Sequence, residues 1–237
     1  MLPDLSQEKL RGRHVVVTGG TGGLGRDVVA RMLQLGAIVH APVWLAEELE
    51  GVNWLEVNTT TGVDLRDEAQ VRAYYQALPE LWASVHLVGG FSMGPINQTS
   101  VSELRRLMEL NATTAYLCCQ AAVEKMRSST QTPGGRIVNV SARPVELPTA
   151  EMVAYSMSKA AVSALTRALA VELAPEEIWV NAIAPGIIDT LANRKAMPKA
   201  DHSKWVPPKG IGRVVSNLVM PQNVCQTGSV IPVYGQS

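Results

Sequence analysis

The chain has 237 residues, of which 46% are hydrophobic and 18% charged; this excludes a disordered chain and predicts one domain spanning 1–237 around a sizeable core. Lys and Arg total 21 and Asp and Glu total 21, a zero balance that argues against nucleic acid, whose phosphates call for a positive excess. Three cysteines, Cys118, Cys119 and Cys225, form no Cys-x-x-Cys, so neither a disulfide framework nor a metal site is signalled. Residues 1–13 hold no apolar run of the secretory kind, and no stretch approaches a membrane span. The expectation is a soluble, cytoplasmic protein with no membrane partner.

In chain order, short apolar runs alternate with helical periodicity. Residues 14–17, His-Val-Val-Val, predict a buried strand that runs into a glycine-rich turn. A helix follows over 24–35 and stops at Gly36, then a strand over 37–40 and another over 54–57. The helix predicted over 65–78 ends at Pro79, and a strand over 83–88 runs into Gly89 and Gly90. Ser100 and Glu103 have the spacing of a capping box, which opens a long helix to Ser128. Beyond the loop at Pro133 come a strand over 136–140, an Ala-rich helix over 152–173 closed by Pro175, a strand over 179–184 stopped by Pro185, and a last strand over 228–233. Residues 191–212, with Pro198, Pro207 and Pro208, read as a long substrate-side loop. Strands alternating with helices predict an α/β fold: a Rossmann-like, doubly wound parallel sheet in three α/β/α layers.

Thr18-Gly19-Gly20-Thr21-Gly22-Gly23-Leu24-Gly25 joins the first strand to the first helix. Glycine lets the backbone turn tightly and approach a pyrophosphate, and the helix start offers unpaired N–H groups and a positive dipole end. In this position the turn signals a nucleotide site. After the second strand, Ala41-Pro42-Val43-Trp44 supplies neither an acid for ribose hydroxyls nor an Arg for a 2′-phosphate. Glu47 and Glu48 follow, as ribose acceptors or as a solvated helix start. If the site takes a dinucleotide, the expectation is NAD or NADP, leaning to NAD.

Tyr155 and Lys159 stand four apart and share one helix face. A neighbouring ammonium favours the phenolate, so the pair can act as a tuned acid/base; on its own the spacing equally describes a surface Tyr beside a solvated Lys.

Together these motifs resemble the short-chain dehydrogenase/reductase family, over nearly the whole chain from His14 to Gly235. The glycine turn resembles its cofactor motif, Tyr155-x-x-x-Lys159 its catalytic motif, and Asn111 in Leu110-Asn111-Ala112-Thr113 its helix asparagine. The run from Val180 through Asn181, Pro185, Gly186 and Asp189 to Thr190 is similar to its nicotinamide-lining segment, and Asp64-Leu65 to its adenine-contacting pair. The resemblance implies an NAD(P)-dependent oxidoreductase that passes a hydride between the nicotinamide and a carbonyl- or alcohol-type small molecule. Tyr155 would exchange the proton, Lys159 would lower its pKa and bind the nicotinamide ribose, and Asn111 would hold a water in a relay to Lys159. Cofactor contacts would fall on Gly19, Thr21, Gly23, Leu24, Gly25, Asp64, Leu65, Gly89, Gly90, Tyr155, Lys159, Pro185, Gly186, Ile188 and Thr190. A homodimer or homotetramer is implied, through the Ala-rich helix and the long helix before it.

Two departures stand out. The family's carbonyl-polarising Ser falls on Ala142; Ser141 is adjacent, but neighbours on an extended chain point to opposite sides, so it would serve as a catalytic residue only if the strand ends early or bulges. The family's Asn-Asn-Ala-Gly reads His86-Leu87-Val88-Gly89, where His86 is expected to be a satisfied core residue. A dihydropteridine-reductase-like activity and a non-catalytic dinucleotide sensor stay open as alternatives. The basic residues Arg194, Lys195, Lys199, Lys204 and Lys209, with Trp205, read as a solvated loop or as one favouring an anionic or ring-bearing substrate.

Overall fold

The computed structural model describes residues 10–52, 54–130 and 133–236; most of the polar leader at 1–13 lies outside them. The elements run β1 (His14–Thr18), α1 (Gly25–Gln34), β2 (Ile38–Val43), β3 (Val57–Thr61), α2 (Glu68–Gln76), β4 (Ala83–His86), α3 (Val101–Leu107), α4 (Thr114–Ser128), β5 (Gly135–Val140), α5 (Arg143–Glu146), α6 (Val153–Glu172), β6 (Ile178–Pro185), α7 (Leu191–Ala196), α8 (Pro208–Val219) and β7 (Val230–Val233). The seven strands form one sheet in the order β3-β2-β1-β4-β5-β6-β7, every pair parallel. The predicted α/β three-layer arrangement is what forms.

Alternation along each strand sorts side chains between two cores. Val15, Val17, Val138 and Ile183 pack with Val28, Met32, Ile211 and Val215 from α1 and α8. Val16, Ile137, Ile178 and Val180 pack on the other face with Tyr75, Cys118, Ala122 and Leu173. Both faces are covered, which is why the strands read as continuous Val and Ile runs rather than as alternating patterns.

Four elements differ from expectation. The third strand is Val57–Thr61, with Asn58 to Thr61 exposed; an edge strand needs β-branched residues but no apolar face, so its Thr run carries no burial signal. The second strand continues through Pro42 to Val43, and its pairing with β1 stops at His40, so the proline sits where β1 asks for no donor. The long helix is interrupted at Met108–Thr113 by a wider turn of π type. The segment 191–212 is no structureless loop: it holds α7, a short 3₁₀ turn, a bridge from Ile188 to Val206, and the start of α8, with Pro207 and Pro208 at the N-terminal end where proline is tolerated. Of the Ser100–Glu103 box only half forms. Glu103 N–H donates to Ser100 Oγ at 3.1 Å, while the Glu103 carboxylate is taken by Arg106.

Inside the sheet, His86 is fully satisfied. Asn139 Nδ2 donates to Thr166 Oγ1 at 3.0 Å, so its Oδ1 accepts from His86 Nδ1 at 2.8 Å. His86 Nε2 then accepts from Ser84 Oγ at 2.8 Å, which is itself 2.8 Å from the Tyr75 hydroxyl. This chain braces β4 against β5 and α6. Burial lowers the imidazole to about 4, so the folded protein takes up its proton there only below the pH at which the unfolded chain does. The stability it confers is present above 6.5 and is lost as pH falls from 6.5 to about 4. His86→Leu is expected to cost about 1–3 kcal/mol at pH 7, since Asn139 Oδ1 loses its donor, and the gap to wild type should shrink over that acid window; urea midpoints at pH 7 and 4.5 check both.

Candidate active site

The sheet order reverses between β1 and β4, and the segments leaving their C-terminal ends diverge into a crevice. Leu87 N–H donates to Thr18 Oγ1 at 3.2 Å, pinning the two strand ends together at its base.

The glycine turn forms one wall. Gly19 has φ +63° and lies against Val88, and a Cβ on Gly23 would meet Thr190 at 2.9 Å. A side chain on Gly25 would collide with the Gly19 carbonyl, so α1 starts flush against the turn. Its N-cap position, Leu24, provides no side-chain cap, which leaves helix-start amides for a ligand to satisfy. Thr21 Oγ1 donates to Glu48 at 2.7 Å, and Glu48 also accepts from Leu45 N–H at 3.1 Å. Glu48 is thus a strap across the turn, not merely a solvated helix start. Trp54 lies near Gly20 rather than in a strand.

Beyond β3, Leu65 is buried. The Asp64 carboxylate takes three hydrogen bonds from Arg66, two from the side chain at 2.9 and 2.7 Å and one from its backbone N–H at 2.9 Å, which hold it below the usual carboxylate range. Arg66 stacks 4.7 Å from the exposed Trp44 ring.

The opposite wall is built by α6 and the π turn. Lys159, 6% exposed, donates to the Val140 carbonyl at 2.9 Å. Asn111 pairs with both backbone polar groups of one residue: Oδ1 accepts from Gly90 N–H at 2.9 Å and Nδ2 donates to Gly90 O at 3.0 Å. Nδ2 also donates to Ser158 Oγ at 2.9 Å, which donates to the Tyr155 carbonyl at 2.7 Å. A Cβ on Gly89 would lie 2.5 Å from Asn111 Oδ1 and 3.1 Å from Lys159 Nζ. Gly89, Asn111 and Lys159 therefore meet at one point, and only glycine fits there. Tyr155 is held edge-on by Phe91, ring centroids 5.0 Å apart.

Burial acts on the pair in opposite senses. It raises the Tyr155 phenol to about 12 and lowers the Lys159 ammonium to about 8. Desolvation is the cause that acts on Tyr155, in the sense opposite to the lowering expected from Lys159. Ser141 is also corrected as a catalytic residue. It is 1% exposed, its Oγ lies 2.7 Å from Ser163 Oγ, and it donates to the Lys159 carbonyl at 3.3 Å. The chain stays extended at Ala142, so nothing turns Ser141 toward the crevice.

Pro185 ends β6, and Gly186 N–H donates to Val233 O at 3.0 Å. Asp189 N–H bonds Val206 O at 2.9 Å, fixing the Ile188 region to the chain entering α8. Thr190 caps α7 by accepting from Asn193 N–H at 3.2 Å. The basic segment is partly neutralised, with Arg194 on Asp189 and Lys204 near Asp201. Trp205 is buried and is no substrate-facing ring, whereas Lys195, Lys199 and Lys209 are solvated.

Three features escaped sequence reasoning. Phe91 carries no motif; Ser158 lies inside Tyr-x-x-x-Lys yet links Asn111 to α6. Arg143 follows Ala142 directly and has a buried Nε without a hydrogen-bond partner; a cation beside the departed Ser position was the available signal.

The profile of the short chain dehydrogenase family matches residues 13–201. The chain is 30% identical to a rhamnolipid-biosynthesis 3-oxoacyl-[acyl-carrier-protein] reductase of Pseudomonas aeruginosa, over 95% of this chain and 96% of that one. It is 31% identical to a 3alpha-hydroxysteroid dehydrogenase of Mediterraneibacter gnavus, over 86% and 85%. Among solved structures it is similar to a short-chain type dehydrogenase/reductase from Mycobacterium ulcerans, with a TM-score of 0.86 and 25% identity over 95% of this chain and 90% of that one.

Lys159 gives a stability test. Its proton is bound less tightly folded than unfolded, so this group penalises the fold below pH 8 and the penalty is relieved as pH rises from about 8 to the ordinary 10.5. Wild type is expected to gain stability relative to Lys159→Met across that window. A difference in urea midpoint that does not change from pH 8 to 10 would contradict a buried ammonium.

Proposed function

The chain belongs to the short-chain dehydrogenase family of oxidoreductases, and from that premise we propose that it reduces a carbonyl, or oxidises the corresponding alcohol, on an apolar small molecule with Tyr155 as acid/base. The observation that carries the reading is the convergence of Gly89, Asn111 and Lys159 at one wall of the crevice, opposite the uncapped glycine turn.

The residues present fit a nicotinamide dinucleotide. Close backbone approach at Gly23 and Gly25 and the uncapped start of α1 suit a pyrophosphate; Lys159 and Tyr155 would face the nicotinamide ribose, and Ile188 and Thr190 the carboxamide. When bound, the dinucleotide supplies the hydride. Tyr155, protonated at neutral pH like any phenol and held so more firmly by burial, would donate to an oxygen gaining negative charge. Lys159, with its proton affinity brought close to neutrality, can exchange protons with Tyr155 or solvent. Asn111 positions the Gly90 peptide and, through Ser158, the first turn of α6. The substrate side is apolar: Phe91, Met93 and Leu147 are about half exposed, and Gly94 N–H to Glu151 O at 2.7 Å ties the segment carrying the first two to the turn before α6. Two of the relatives are named for a 3-oxoacyl-[acyl-carrier-protein] and a hydroxysteroid, which agrees with an apolar substrate.

A second reading, dinucleotide binding without turnover, is favoured by the loss of the Ser hydroxyl to the protein interior. Tyr155→Phe decides between them. On whichever apolar ketone, enone or quinonoid dihydropterin wild type reduces, the variant is expected to lose about 10²–10⁴-fold in kcat while NADH affinity, read by fluorescence titration, stays within a few-fold. No turnover by wild type across such a panel supports the second reading.

Glu48, held at the glycine turn by Thr21, is the acid placed to accept from ribose hydroxyls and to repel a 2′-phosphate. Wild type is expected to prefer NADH over NADPH in kcat/KM, and Glu48→Gln to reduce that preference about fivefold, the scale of one charge–charge contact in water, ~1 kcal/mol. A wild-type preference for NADPH would overturn this assignment.

A further inference from the structure

At the N-terminal edge of the sheet, opposite the crevice, lies a cavity of about 300 Å³ that the chemistry above does not use. Its walls are the indoles of Trp82 and Trp179 with Pro133, Pro221 and Val224, and its charged groups are Arg13, Arg136 and Glu177. It sits near the start of β5, four residues and roughly 13 Å of strand from the Val140 carbonyl that Lys159 holds.

Arg136 is the unusual group. It is 4% exposed, and it meets only backbone carbonyls: NH1 donates to Gly135 O at 2.7 Å and Glu177 O at 3.1 Å, NH2 to Pro221 O at 3.4 Å. Its Nε has no hydrogen-bond partner. Carbonyls satisfy N–H groups but supply no counter-charge, and the Glu177 carboxylate attracts the guanidinium less than burial and Arg13 act against it; a buried cation so weakly offset is costly. The cost is compounded by Arg13. Both guanidinium groups lie over the Trp82 ring, at 4.0 Å for Arg13 and 4.7 Å for Arg136. Burial first, and Arg13 second, bring Arg136 down to about 10. Among the described residues lining the cavity, Glu177 is the one carboxylate, and it is its carbonyl that hydrogen-bonds Arg136.

We propose that this cavity binds a small organic anion with a flat apolar body, of the aromatic carboxylate class. The negative charge would pair with the buried Arg136 guanidinium, and the ring would cover the indole and proline walls, which an inorganic anion would leave wet. Ligand sites begin at about 300 Å³, so a single-ring acid is the right size.

The test is calorimetric titration of the full chain with benzoate, with inorganic phosphate in parallel. Benzoate is expected to bind one-to-one and not to be displaced by NADH. Arg136→Met should weaken it about tenfold or more, the worth of a charge-assisted hydrogen bond. Val224→Trp, at an exposed position on the rim, should block it, and Glu177→Gln should tighten it by removing the competing carboxylate. If Arg136→Met fails to fold, the other two variants decide. No saturable binding, binding that Val224→Trp leaves intact, displacement by NADH, or phosphate binding as tightly as benzoate would each overturn the proposal.

Discussion

After β3 the chain must pass back over β2 and β1 before β4 can pair with the free side of β1. This reversal is the constraint on which the rest depends. It sends the segments leaving β1 and β4 to opposite sides and opens the crevice without any side chain having to hold it apart. The side chains have the converse task of holding its base closed, which Thr18 does by accepting from Leu87 N–H. The His86–Asn139–Thr166 chain then fixes β4 against β5 and α6. The wall at Gly89 and the wall at Gly23 keep their spacing because the buried polar groups behind them are each paired.

Within the crevice, one physical effect sets both proton affinities. Removing water penalises the charged form, so it raises an acid and lowers a base. Tyr155 moves to about 12 and Lys159 to about 8, so the phenol keeps its proton through the neutral range while the ammonium is the more readily deprotonated of the two. The Val140 carbonyl offers Lys159 a partner at 2.9 Å, but a dipole replaces lost hydration only in part. The ordinary expectation that an ammonium acidifies a neighbouring phenol sets its attraction for the phenolate against the cost of burying that phenolate, and on Tyr155 burial is the effect that decides.

Much of this was legible in the sequence. The doubly wound sheet follows from apolar runs alternating with helical periodicity, and the glycine turn and Tyr155–Lys159 pair fall where their motifs put them. What escaped had no local signal. Val57–Thr61 is a strand because β2 lies beside it, not because of any apolar face. The π turn around Asn111 follows a good capping residue and ordinary helix formers; it exists because Asn111 must meet Gly90 and Ser158 at once. Glu48 was visible as an acid, but its attachment to Thr21 joins residues 27 apart. Pro207 and Pro208 read as loop residues, and they open a helix because its first turn needs no backbone donors.

Ser141 shows where spacing alone misleads. A hydroxyl one residue from the required position looks nearly right, yet a strand turns consecutive side chains to opposite faces, and the extended backbone at Ala142 continues that alternation. The hydroxyl therefore goes to Ser163 and the Lys159 carbonyl, where it steadies the helix that carries Tyr155 and Lys159. On the proposed reading, a substrate oxygen meets the Tyr155 hydroxyl without a Ser beside it. One donor where two are usual favours substrates that are polarised already, or that reach Arg143, whose Nε is unpaired. The same alternation that removes Ser141 from the crevice thus narrows the chemistry the crevice can support.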